Sequence, residues 1–283
     1  MAESAGTGNF LAAMSESSRK RVSLARTQLG DAEIQARALD TPAPPRLRLS
    51  SRRFDLIAEV KFRSPAAGQL RVGSEEHVNA RVAGYAEAGA AVVSVLTEPS
   101  HFDGSLSHLK TAVRALDGRI PAMRKDFLVD PYQVCEARLF GAGGVLLIVR
   151  IITDAEAAAL IECAVRLRQF VLLETFDEAD IVRACALVKK YSSTAELLVG
   201  VNCRDLQTLE VVPGRLEELV RGLPDNVPRV AESGVATAQD AGRIAIAGYD
   251  VALVGSALMN ALEPLQLVRA MLSSARTERA RRS

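Results

Sequence analysis

The stretch AEVKFRSP (58–65) sets Glu59, Lys61 and Arg63 at every second position of a segment otherwise suited to a buried strand. In extended backbone, alternate side chains point to opposite faces, so these three charges share one face. Leu56, Ala58, Val60 and Phe62 share the other, purely apolar, face. A strand lying on the core of an open sheet shows the reverse arrangement. The pattern is explained if the apolar face meets surrounding helices while the alternate face climbs from a packed interior to an open mouth. That is the geometry of a strand in a closed barrel.

Seven further apolar runs lie downstream: AVVSVLT (91–97), PAMRKD (121–126), GVLLIV (144–149), FVLLET (170–175), LLVGVN (197–202), RVAES (229–233) and VALVG (251–255). Segments of helical period separate them. Asp130 ahead of Pro131 marks a helix start, and Gly89 and Gly141 lie just past helix ends. Eight strand–helix units in strict alternation predict an α/β fold, a (β/α)8 TIM barrel. A doubly wound sheet is the alternative, but the turn after the first strand, KFRSPAAGQL, carries no G-x-G-x-x-G. Ahead of the barrel, NFLAAMSESSRKRVSLARTQLG (9–30) reads as one amphipathic helix and DTPAPPRLRLSSRRF (40–54) as a Pro-rich linker. The division expected is an N-terminal extension over 1–50 packing on a catalytic barrel over 51–283. The helix either caps one end of the barrel or helps cover the site.

Composition excludes several function classes. The 283 residues carry 35 Lys plus Arg against 34 Asp plus Glu, which gives no support to a nucleic-acid partner. The basic C-terminal ARTERARRS suits the end of a helix. No stretch approaches the ~18 apolar residues of a membrane span, and the N-terminus lacks a charged segment followed by an apolar one. A cytoplasmic chain with no membrane partner is expected. Cys135, Cys163, Cys185 and Cys203 stand singly, without C-x-x-C, and His77, His101 and His108 lack ligand spacing; no metal site is expected.

In a (β/α)8 barrel the strands' C-terminal ends form the active site. Here they carry Glu59 and Lys61 on the first strand, Lys125, Asp126 and Phe127 on the third, Glu174 on the fifth, and Asn202 followed by Arg204 on the sixth. Alternation places Glu59 with Ile57, Glu174 with Leu172, and Asn202 with Leu198 and Gly200, as expected for apolar layers beneath a charged mouth. A lone Lys–Glu pair is usually a structural ion pair, but charges converging from several strands on one rim point to chemistry. The seventh and eighth strands end in Glu232-Ser233-Gly234 and Gly255-Ser256. Glycines and hydroxyls there can cradle a phosphate, because a side chain would block the approach of backbone to its oxygens.

The motifs IAEVKFRSPAAG (57–68), SVLTEPSHFDGSLSHL (94–109), RKDFLVDPYQVCEARLFGAGGVLLIV (124–149), VLLETFDEAD (171–180), VGVNCRDL (199–206), VAESGV (230–235) and VALVGSALM (251–259) occur in this order. Together the segment from about Phe10 to Met259 resembles the indole-3-glycerol phosphate synthase family. RKDF-x-VDPYQ and N-x-RDL are specific to it; ESG and VGSALM are shared among phosphate-binding barrels. The resemblance implies ring closure of a phosphorylated anilino-ketose, 1-(2-carboxyphenylamino)-1-deoxyribulose 5-phosphate, with loss of carbon dioxide and water and without a metal or organic cofactor. A monomer or weak homo-oligomer is expected. Lys125 would be the acid at the ketone, Lys61 the partner of the anthranilate carboxylate, and Glu59 and Glu174 an acid–base pair of unassigned order. Asn202 would position the sugar hydroxyls and Glu59, with Arg204 and Glu232 completing the polar rim. Phe102 and Phe127 would pack on the anthranilate ring; Ser64, Gly234, Gly255 and Ser256 would hold the phosphate, with Ser233 beside the sugar and Arg63 near the ligand's anionic groups.

The chain departs from the family pattern at five places. It has SPAAG where SPSKG is frequent, Arg63 where some members carry Lys, Cys203 for a second Asn, Phe176 for a His, and a longer KKYSSTAE segment before the sixth strand. A copy serving a specialised pathway is one alternative. Another is phosphoribosylanthranilate isomerase, which needs acid and base on the first and sixth strands, where Asn202 is a poor base. A third is a barrel that binds such ligands without turnover.

Overall fold

The structure, a computed structural model, describes residues 10–50, 54–64, 68–69, 75–205, 208 and 210–282. Eight parallel strands close on themselves: β1 (Asp55–Val60), β2 (Val92–Leu96), β3 (Ala122–Lys125), β4 (Gly144–Ile148), β5 (Phe170–Thr175), β6 (Leu197–Asn202), β7 (Arg229–Glu232) and β8 (Val251–Val254). Each pairs with its neighbours in chain order, and β1 pairs with β8 from Asp55↔Val251 to Ala58↔Val254. The (β/α)8 barrel is therefore present, and the doubly wound alternative falls because no edge strand remains.

Two apolar cores arise from the pleat. Inward residues Ile57, Val92, Met123, Leu146, Leu172, Leu198, Val230 and Val251 fill the barrel together with Phe170, whose ring occupies the space a side chain at Gly144 would need. Outward residues, including Leu56, Ala58, Val60 and Phe62, pack against the helices. The surrounding helices include α3 (Glu75–Glu87), α5 (Leu106–Leu116), α6 (Pro131–Leu139), α7 (Asp154–Arg166), α8 (Glu178–Tyr191), α10 (Ala238–Ala247) and α12 (Pro264–Arg282), with one-turn helices α4 (Pro99–Phe102), α9 (Arg215–Leu219) and α11 (Ser256–Asn260) in the loops. Asp130 caps α6 by accepting from Tyr132 N at 2.9 Å. Gly89 and Gly141 adopt φ of +102° and +87°, the left-handed region that ends helices.

The N-terminal reading needs one correction. The predicted single helix is α1 (Phe10–Gln28), but a second, α2 (Asp31–Asp40), begins after a break at Leu29–Gly30. Asp31 and Glu33 favour its first turn, and Ile34 and Ala38, four apart, bury against the outer core beside α6. The linker then passes beneath the barrel: Arg138 Nη2 donates to Thr41 O and Pro42 O, both at 2.6 Å, and Leu47 and Leu49 pack on the inner core. The extension thus touches both ends of the barrel. Ala66 and Ala67 lie outside the described residues. Among the described residues no helix is long and apolar enough to cross a membrane.

Candidate active site

Strand register and alternation bring the predicted charges together. Glu59 on β1 and Lys61, one residue past its end, form an ion pair at 2.7 Å. From β3, Lys125 reaches across the mouth to Glu174 of β5 at 3.2 Å and to Glu232 of β7 at 3.5 Å. Asn202, paired across the ladder with Glu232, donates to Glu174 Oε1 at 2.5 Å, so it orients Glu174 and not Glu59 as the resemblance implied. Its carbonyl oxygen in turn accepts from Arg204 N at 3.0 Å, which ties the start of the next loop to the site.

Three carboxylates and two ammonium groups in a largely buried mouth cannot all keep their ordinary affinities for protons. Glu232 is raised to about 8, first because burial penalises its charge and next because Glu174 repels it; Lys125 opposes the shift. Its Oε1 is buried and has no hydrogen-bond partner, the position in which a protonated carboxyl can donate to a ligand. For Lys125, burial alone would favour the neutral amine, but the charges of Glu174, Glu232 and Glu59 outweigh it and the net shift is upward. The site therefore holds a persistent ammonium beside a carboxyl that keeps its proton into the neutral range.

A cavity of 480 Å³ opens over these groups. One wall is apolar: Phe102 and Phe127 lie with ring centres 6.2 Å apart, and Leu96, Leu146 and Ile148 extend the surface. The opposite wall is formed by Arg204, Ser233, Gly234, Gly255 and Ser256. Ser233 itself has φ +65°, a left-handed turn directly after Glu232. The need for glycine on this wall has a nearer cause than phosphate. A Cβ at Gly255 would overlap the Glu59 carboxylate and come 3.0 Å from Lys61 Nζ, and one at Gly234 would come 2.7 Å from Cys203 Sγ. A Cβ at Gly200, a residue the sequence reading used only for alternation, would overlap Glu232 Oε1.

One predicted residue stands apart. Arg63 is half exposed and pairs with Asp103 at 3.9 Å; it is not among the residues lining the cavity. The backbone of Arg63 and Ser64 forms a small hairpin with Gly68–Gln69, because a two-residue ladder replaces the simple loop expected there. The Ser64 side chain lies outside the described residues. Phe10 is one contributor that sequence reasoning missed: it comes down from α1, lines the cavity and meets the Phe127 ring edge-on at 6.0 Å. α1 therefore covers the site and is not only a cap. Of the departures, Phe176 is buried beneath the Arg150 guanidinium, 4.5 Å from its ring centre, and Cys203 fills the space under Gly234. Neither lines the cavity. Among the described residues no cluster of three or more His, Cys, Asp or Glu is arranged to hold a metal ion.

A closed (β/α)8 barrel with lysines and carboxylates at its mouth, an apolar slot on one side and a glycine–serine rim on the last two strands defines an enzyme of the barrel class that acts on small phosphorylated molecules. Solved structures support the fold: 3-hexulose-6-phosphate synthase from Salmonella typhimurium aligns with TM-score 0.62 at 15% identity, covering 80% of this chain and 100% of that one. Thiamine phosphate pyrophosphorylase from Pyrococcus furiosus aligns with TM-score 0.57 at 15% identity, over 80% and 98%. The family model for indole-3-glycerol phosphate synthase matches residues 11–271. Proteins of that name from Micrococcus luteus (41% identical, 79% of this chain and 80% of that protein) and Mycobacterium ulcerans (38% identical, 92% of each) are similar over most of their length. The chain belongs to the indole-3-glycerol phosphate synthase family.

Proposed function

We propose that the protein is a carboxy-lyase of tryptophan biosynthesis that closes the indole ring of 1-(2-carboxyphenylamino)-1-deoxyribulose 5-phosphate, releasing carbon dioxide and water. The observation that carries this reading is Lys125, held as an ammonium between Glu174 and Glu232 beside a phenylalanine-lined slot. The slot accepts the anthranilate ring and the glycine–serine rim the phosphate, so the ribulose chain crosses the charged groups between them.

Each group's chemistry assigns it a step. The ring carbon bearing the carboxylate is a weak nucleophile, and attack on the ketone puts negative charge on oxygen. Lys125 donates a proton or a strong hydrogen bond there, where low dielectric strengthens both. Lys61 holds the anthranilate carboxylate until it leaves as carbon dioxide. Dehydration needs a base to take the remaining proton and an acid to protonate the departing hydroxyl. Glu174, oriented by Asn202, and Glu59, paired with Lys61, stand on opposite sides of the mouth and share these roles. Protonated Glu232 keeps the Lys125 ammonium from facing two full negative charges. Arg204 and Ser233 bind the sugar end.

Incubating the pure protein with the anilino-ketose phosphate and monitoring indole fluorescence tests the reading. Lys125→Ala is expected to lower kcat by about 10²–10⁴-fold with an unchanged circular dichroism spectrum. A variant with full turnover refutes the assignment. Turnover of the aminoaldose phosphate instead of the anilino-ketose would favour phosphoribosylanthranilate isomerase.

A further inference from the structure

Lys125 is the last residue of β3, and the ladder toward β4 ends one residue before it. Its carbonyl accepts from Thr97 N at 3.0 Å on the β2 side, whereas pairing with β4 stops at Arg124↔Val145. Asp126 and Phe127, the next two residues, are secured by barrel residues and by α1 together. Asp126, whose side chain is fully buried, accepts from Arg21 twice, at 2.7 and 3.0 Å, from Thr97 Oγ1 at 2.7 Å, from Arg124 Nη2 at 3.1 Å and from Phe127 N at 2.8 Å. One turn earlier on α1, Ser18 Oγ donates to Phe127 O at 2.5 Å and accepts from Gln133 Nε2 at 2.8 Å. A bidentate guanidinium–carboxylate pair fixes both distance and plane, which a lone ammonium does not.

We propose that Arg21 of α1, acting through Asp126, is a positioning residue that completes the end of β3 and sets Lys125 between Glu174 and Glu232. Ser18 does the same for the backbone of Phe127 and so for the ring slot. α1 is then part of the catalytic frame. Other contacts dock the helix without touching residues 125–127: Arg26 pairs with Asp130 at 2.7 Å and Arg19 with Glu156 at 2.9 Å. Loss of docking and loss of positioning are separable for this reason.

The inference rests on the ring-closing reading for its kinetic consequence, but the placement of Lys125 is measurable without substrate. Arg21→Met, Arg21→Lys and Arg26→Met are compared by thermal midpoint, by kcat and KM, and by the rate at which acetic anhydride acylates Lys125 in the free protein, read by mass spectrometry. Arg21→Met is expected to lower kcat roughly ten- to a hundredfold and to speed Lys125 acylation about tenfold, the change that one unit of altered proton affinity produces. Arg21→Lys restores part of both, and Arg26→Met lowers the midpoint while leaving both at wild-type values. Unchanged Lys125 acylation in folded Arg21→Met overturns the proposal whatever the substrate proves to be. So does Arg26→Met if it matches Arg21→Met in acylation and kcat. If the wild type does not turn over the anilino-ketose phosphate, the functional reading fails and acylation alone decides the inference.

Discussion

At the scale of single residues, the site is a balance between burial and charge. Glu232 keeps its proton to about pH 8 in the folded chain, raised from an ordinary value of 4.5 by burial and then by Glu174. The unfolded chain releases that proton near its ordinary value, so between these two pH values the folded state binds the extra proton and stability falls as pH rises. Glu232→Gln removes the titration. Its thermal midpoint should gain on the wild type as pH is raised from about 5 to 9, while turnover is lost; a difference between the two that stays constant with pH contradicts the assignment. Gly255 supplies a second test. Gly255→Ala must move Glu59 or Lys61, because the new Cβ would occupy the carboxylate's place. A roughly ten- to hundredfold loss of kcat with an unchanged fold is expected. Full activity would mean that Glu59 tolerates displacement and does not act at this position.

At the scale of elements, α1 joins two functions that its sequence does not separate. Met14, Ser18 and Val22 bury one face, and Phe10 at its start reaches the ring slot. Removing the Phe10 ring takes apolar surface from a bound anthranilate as much before the transition state as at it. Phe10→Ala should therefore raise KM about tenfold, corresponding to part of the ~1.5–3 kcal/mol of a buried aromatic side chain, with kcat little altered. Steady-state kinetics would exclude this if kcat fell and KM stayed constant. The amphipathic period of α1 was legible from residues 9–30. Its dual role was not, because periodicity shows which face is buried and leaves open what lies opposite. α2 escaped the sequence reading for a related reason. Ten residues with only Ile34 and Ala38 buried give too short a period to stand out beside a Pro-rich linker.

At the scale of the whole molecule, one of the polar links between extension and barrel is the bidentate pair of Arg21 with Asp126. Its carboxyl lies well below the usual carboxylate range: burial alone would raise it, but Arg124 and Arg21 more than offset that. A depressed carboxyl adds stability above its unfolded value, about 3.9, and that contribution is lost as pH falls below it. Asp126→Asn should cost about 3–5 kcal/mol at pH 7, and less at pH 3, in urea denaturation. An equal cost at both would show that the charge is not what holds the frame. The same network explains why so polar a cluster survives in a buried place: each oxygen of Asp126 has at least two donors.

By itself the sequence determined the barrel, the inward row of Glu59 and Lys61, and the gathering of Lys125, Glu174 and Asn202 at one mouth, because a strand's two-residue period fixes its faces whatever packs around it. The RKDF and N-x-RDL motifs added the family. Tertiary structure alone decided which charge meets which: Asn202 with Glu174, Lys125 with both Glu174 and Glu232, and Arg63 with Asp103 away from the cavity. It also decided why Gly200 and Gly255 carry no side chain, and that α1 holds the end of β3. Those facts depend on register and distance between strands far apart in the chain, and no local period encodes either.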